Sequence, residues 1–162
     1  MTTTGRYGFR KATLNDLDLL SGWQSNPHVR AWWGAAEPYG EAELADTRVA
    51  RWIVSYAGRP FAYMQDYTVH GWEEHHFADL PEGSRGIDQY IGEPDMIGAG
   101  HGPAFIAMRM KALFAEGAPV IATDPHPDNA RAIAAYRKAG FEPFGRARMT
   151  QWGLILPMLA RE

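Results

Sequence analysis

A loop with glycine at every second position, Gly98, Gly100 and Gly102, separates a strand pattern over residues 86–92 from a helix pattern over residues 103–117. Glycines spaced this way let backbone N–H groups close on an anion. Pro103 suits the first turn of the helix, whose N-terminus adds about half a positive charge. The loop is a phosphate cradle in form, with a plain glycine-rich turn as its alternative. Walker A chemistry would require Gly-Lys-Ser/Thr, and here Gly102 is followed by Pro103 and Ala104. A dinucleotide site would place the glycines after the first strand, whereas these lie past mid-chain.

The helix sets Ile106, Met110, Leu113 and Phe114 on one face and ends near Gly117. VIAT (120–123) then reads as a buried strand, DPHPDN as a turn and NARAIAAYRKAG as a second helix closed by Gly140. Ahead of this series, residues 7–13 alternate as a half-buried strand, and Asn15 or Asp16 offers a cap for the helix LDLLSGWQ. Asn26-Pro27 breaks that helix, VRAWWGAAEPYG is irregular, and EAELADTRVA resumes a short helical pattern. RWIVSYA and FAYMQDYTV form a hairpin across Gly58-Arg59-Pro60, and FEPFGRARM and TQWGLILPML supply closing strands. A mostly antiparallel first half followed by β-loop-α-β-α-β predicts an α/β or α+β sheet domain. At 162 residues the chain has the size of one domain, residues 1–162.

Composition removes several chemistries. There is no cysteine, hence no disulfide, thiolate nucleophile or Cys-based metal site. No apolar run approaches the length of a membrane span and the N-terminus lacks a signal-like core, so a cytoplasmic location is expected. The net charge of −3 is unevenly placed: between Glu73 and Asp95 lie seven acids (Glu73, Glu74, Asp79, Glu82, Asp88, Glu93 and Asp95) against Arg85 alone. That segment suits a cationic small ligand or a solvated acidic loop, and argues against binding nucleic acid. His75-His76 beside Glu73-Glu74 hints at a metal, but no further ligand has the spacing, so no metal is assigned. A serine hydrolase lacks its G-x-S-x-G elbow.

Gly98-x-Gly100-x-Gly102 before a helix, a following strand, then Asn129 seven residues ahead of Tyr136 and an Ala-Gly-Phe ending resemble the acetyl-CoA-binding core of the GNAT acyltransferases. Trp32-Trp33-Gly34, Gly71-Trp72-Glu73-Glu74, Arg85-Gly86-Ile87-Asp88-Gln89 and Thr123-Asp124-Pro125 are, in order and approximate spacing, similar to the aminoglycoside 6′-N-acetyltransferases. The likeness covers about residues 8–145, and the stretch between Trp72 and Arg85 is rearranged. The siderophore-pathway relatives, which acylate a hydroxylysine, typically carry His where this chain has Asp88. Just upstream of the glycine loop Asp95 replaces the usual Gln or Arg, which should weaken a pyrophosphate contact.

The resemblance implies a GNAT fold, a mixed and mostly antiparallel central sheet flanked by helices, and acetyl-CoA as cosubstrate. It implies direct transfer in a ternary complex to the 6′-amine of an aminoglycoside, an antibiotic-resistance activity. Other small amines, or a CoA-binding module without turnover, are the alternatives, and the chain is expected as monomer or homodimer. The same resemblance puts a general base at Asp88, whose alternative is to hold an ammonium or pair with Arg85, and a proton donor at Tyr136, otherwise a core aromatic. The cosubstrate would lie against Tyr90 and Ile91 on the strand, against Gly98, Ala99, Gly100, His101 and Gly102 in the loop, and against Asn129 and Tyr136. His101 is a loop side chain rather than a catalyst, and Asn129 is equally an ordinary N-cap. Trp32, Trp33 and Trp72 would face sugar rings, with Glu74, Asp79, Asp88 and Asp124 holding ammonium groups.

Overall fold

A computed structural model describes residues 6–33 and 40–162. Gly34, the last residue of the Trp-Trp-Gly motif, lies outside the described residues. The chain divides into two compact units, Met1–Gln65 with Gln89–Gly102 and Asp66–Asp88 with Pro103–Glu162.

In the first unit β1 (Tyr7–Lys11) pairs antiparallel with β2 (Val49–Tyr56), Tyr7 opposite Tyr56 and Lys11 opposite Trp52. β3 (Arg59–Thr68) and β4 (Arg85–Ile91) follow in hydrogen-bonded order. The β2–β3 turn is Ala57-Gly58, with φ of 49° and 85°. Two consecutive left-handed residues are what a tight hairpin requires, so the loop is one residue tighter than expected and Arg59 and Pro60 already belong to the strand. Asp16 does not cap α1 (Leu17–Ser25) with its side chain. It folds back to accept from both terminal guanidinium nitrogens of Arg10, at 2.7 and 2.8 Å, and from the Thr13 N–H. Pro27 opens α2 (Pro27–Trp33), because proline at a first helical position gives up an N–H that has no helical partner anyway. That makes helical a stretch expected to be irregular. After α3 (Glu41–Ala45) the predicted helical run stops, and Val49 is already strand. Leu20, Trp23, Ile53 and Tyr63 form this unit's core.

In the second unit the strand order is β4-β5-β9-β6. β5 (Ile121–Thr123) lies parallel to β4 and antiparallel to β9 (Met158–Ala160), which pairs with β6 (Glu142–Pro143). α4 (His101–Ala115) links β4 to β5 and buries Phe105, Ile106, Met110 and Leu113. α5 (Ala130–Ala139) is capped by Asn129 and stopped by left-handed Gly140. The closing region is four short strands rather than two, since β7 (Arg148–Thr150) and β8 (Gly153–Ile155) form a separate hairpin. Asp66, wholly buried, holds Arg85 and also Arg109, the latter at 2.8 Å. Of the pairings described, only β4–β5 is parallel: the fold is mixed α/β with a mostly antiparallel sheet flanked by helices, as expected. Among the described residues no helix is long and apolar enough to cross a membrane.

Candidate active site

The parallel ladder of the second unit pairs only Arg85 with Ile121 and Gly86 with Ala122; one step on, the Thr123 hydroxyl donates to the Ile87 carbonyl at 3.0 Å. Asp88 on β4 and Asp124, just past the end of β5, come next, at the carboxyl side where parallel strands present ligand-binding groups. The Asp88 side chain is a hydrogen-bonding neighbour of the Asp124 carboxyl. The Asp124 side chain is 15% exposed. Burial pushes its carboxyl up to about 6, with the Asp88 contact working in the opposite direction. The Arg85 guanidinium binds Asp66 and the Tyr67 carbonyl.

Aromatic and imidazole rings line the same region. Tyr67 is buried, and its phenol is pushed well above the ordinary value by burial first and then by Asp124, Asp88 and Tyr136. It packs edge-on against Trp72 at 5.4 Å and leans on His75 at 5.5 Å. The ring lies across Gly86, where a Cβ would come within 2.1 Å of it, which explains a glycine in mid-strand. His75 and His76 stack at 4.3 Å, and Trp152 reaches both from the β7–β8 turn. His76 Nε2 lies 2.8 Å from Asp124 Oδ2. Burial is the leading cause that brings both histidines down to about 4, so they are neutral at neutral pH.

Tyr136 is buried on α5 and packs edge-to-face on Phe141 at 5.4 Å. Through Tyr67 it belongs to the same electrostatic neighbourhood as the two aspartates. Asn129 accepts from the Ala132 N–H at 3.2 Å, the ordinary N-cap contact.

In the first unit, Gly98 and Gly100 have φ of 77° and 84°, and a Cβ at either would meet nothing within 4 Å. With Ala99 they form an exposed loop running directly into α4, which starts at His101 rather than Pro103. A bare backbone ahead of a fifteen-residue helix fits a pyrophosphate. His101 Nδ1 and the Tyr7 hydroxyl share a 2.7 Å hydrogen bond, and the imidazole packs on Tyr56 and Phe61. The Ile91 carbonyl accepts from His28 Nε2 at 2.8 Å, and the Tyr90 ring stacks on Tyr63 at 5.4 Å. Asp95 and Glu93 share Arg59, so these two acids of the central segment are spent on the fold.

The remaining candidates are dispersed. Trp33 packs on Tyr63 and Tyr90 beside the first unit's core, whereas Trp32 is exposed. Glu74 and Asp79 are exposed, and the Glu74 carbonyl accepts from Gln151. Sequence reasoning passed over Tyr67, His76 and Trp152. Tyr67 reads as one more buried strand aromatic, and the histidine pair was weighed only as a metal site.

The acetyltransferase (GNAT) domain family matches residues 12–149. An aminoglycoside N(6′)-acetyltransferase type 1 of Klebsiella pneumoniae is 34% identical, with 84% of this chain and 74% of its own length aligned. A lysine N-acyltransferase of Mycobacterium tuberculosis, MbtK, is 26% identical, with 67% and 55% aligned. Among solved structures, aminoglycoside acetyltransferase AAC(6′)-Ib in complex with paromomycin and acetyl-CoA superposes with a TM-score of 0.87 at 31% identity, covering 96% of this chain and 93% of that one. The match takes in the glycine loop ahead of α4 and the helix from Asn129 to Tyr136: this chain is an acetyltransferase and belongs to the GNAT family.

Proposed function

We propose that this protein transfers the acetyl group of acetyl-CoA to the 6′-amine of an aminoglycoside, with Asp88 and Asp124, in matching register just beyond the β4–β5 ladder, as the observation that carries the reading. Two neighbouring carboxyls in a partly desolvated setting suit a polyamine sugar, because an ammonium placed between them relieves the repulsion of two carboxylates. Trp72 and Trp152 offer ring faces to a sugar or an ammonium. The Klebsiella relative and the AAC(6′)-Ib complexes with aminoglycosides and CoA support the same substrate pair.

In this reading the acceptor nitrogen gives a proton to the carboxyl pair, with Asp88 as base, and attacks the thioester carbonyl directly. The chain has no cysteine to carry the acyl group. Collapse of the tetrahedral adduct breaks the C–S bond, and the departing thiolate takes a proton from the Tyr136 phenol. The nitrogen sheds two protons overall: one is balanced by the thiol formed and the other passes to solvent. Within the first unit, backbone N–H groups of residues 98–102 hold the pyrophosphate, with Tyr90 and Ile91 as the pantetheine strand.

Thiol release from acetyl-CoA, followed with a thiol-reactive dye, tests the proposal, and a cysteine-free enzyme gives no background. Release is expected with aminoglycosides bearing a 6′-amine and not with 6′-hydroxyl analogues. Equal release from both, or release only with polyamines or hydroxylysine, overturns it.

A further inference from the structure

His76 is a buried titratable group that the proposed chemistry does not use. Its side chain is 6% exposed, and its Nε2 sits 2.8 Å from Asp124 Oδ2. The ring stacks on His75 and meets Trp152 edge-on, and Arg148 binds the His76 carbonyl, so both the backbone and the imidazole are held. Nδ1 is buried and has no hydrogen-bond partner. A neutral imidazole has one N–H, and an unpaired buried acceptor is tolerated better than an unpaired buried donor. The proton therefore belongs on Nε2, which donates to Asp124, while Nδ1 is the bare nitrogen.

Resting on the acetyl-transfer reading above, we propose that His76 is a positioning residue of the reaction: its Nε2–H holds Asp124 as a carboxylate against Asp88 and so keeps the pair ready to take the acceptor's proton. The Asp124 side chain is 15% exposed and its ionisation is opposed by desolvation, against which Asp88 and a backbone contact work; a hydrogen bond donated by Nε2–H to the charged form works in that same direction. The charged or titratable groups facing His76 are Asp124 from the end of β5, Asp88 on β4, Arg148 on β7 and His75 beside it. Of these, Asp124 is the one its ring nitrogen contacts.

Two variants and two readouts test this. In His76→Phe the donor is lost but a ring remains, so kcat should fall about 10- to 100-fold, the span of one hydrogen bond to a charged group. The acid limb of the pH–rate profile should move to higher pH, and KM for acetyl-CoA should stay near the parent value. In His76→Gln the side-chain amide again offers N–H at the Nε2 position and should restore most of kcat. Independently of turnover, the ring-nitrogen NMR shifts of the parent should report protonated Nε2 and bare Nδ1, and the Asp124 carboxyl should titrate higher in the Phe variant and near the parent midpoint in the Gln variant. Protonated Nδ1, an unmoved Asp124 midpoint, or Phe and Gln variants that lose only thermal stability would overturn the proposal. A parent that releases no thiol with any amine defeats the acceptor reading instead, and the nitrogen shifts and carboxyl titration still decide the role of His76.

Discussion

Replacing Gly86 by alanine adds one methyl group at the place where the sheet and the candidate site meet. The new Cβ would lie 2.1 Å from Tyr67 Cζ, 2.4 Å from its hydroxyl oxygen and 2.5 Å from Cε2. Ordinary contact starts at 3.4 Å, so the ring must withdraw by about 1.3 Å, and Trp72 and His75 pack against it. Overpacking of a buried ring costs about 1–3 kcal/mol. Because Tyr67 faces Asp88 and Asp124, the shift also reaches the carboxyl pair, and misplacement by about 1 Å is worth roughly a hundredfold in rate. Urea denaturation gives the stability change and steady-state thiol release the rate. The reasoning turns on one clash, so Tyr67→Ala should abolish the penalty: in that background, adding Gly86→Ala should cost close to nothing. A Gly86→Ala protein as stable and active as the parent, or a penalty that persists without the Tyr67 ring, would refute it.

Asp66→Asn leaves Arg85 and Arg109 without their shared buried carboxylate and should cost about 3–5 kcal/mol by chemical denaturation. Acid should destabilise the fold through His75 and His76. Their ordinary value is 6.5 and the folded one about 4, so the stability they contribute is present above pH 6.5 and is lost as pH falls toward 4. Asp124 works the other way, its raised carboxyl favouring the folded state as pH drops from about 6 toward 3.8. Replacing both histidines by glutamine should therefore flatten the loss in urea midpoint between pH 7 and pH 5, and an unchanged slope would contradict the assignment. Tyr136→Phe should lower kcat while CoA still binds by calorimetry; unchanged turnover would return Tyr136 to a packing role.

The chain's central elements were legible because their signals are local. Alternate glycines before Pro103, Asn129 ahead of an alanine-rich helix and Gly140 after it each specify backbone conformation at their own positions. Asp88 and Asp124 were singled out separately, yet their union depends on a ladder that brings residues from β4 and β5 side by side, which no local pattern records. Acidic residues were over-read for the same reason. Glu93 and Asp95 look like part of one charged segment, but Arg59, far away in sequence, takes both. Trp33 shows the limit for aromatics, since stacking on Tyr63 and Tyr90 follows from helix α2, which the Asn26-Pro27 pair conceals when Pro27 is taken as a breaker. His76 was passed over because adjacent histidines invite a metal reading, whereas its partner lies 48 positions on.

The central claim is that the Asp88–Asp124 pair takes the acceptor's proton, and the kinetics of Asp88→Asn with a 6′-amino aminoglycoside test it most directly. Loss of the base should lower kcat by about a hundredfold or more with little change in KM. A rise in KM with kcat intact would make Asp88 a binding carboxylate and contradict the account.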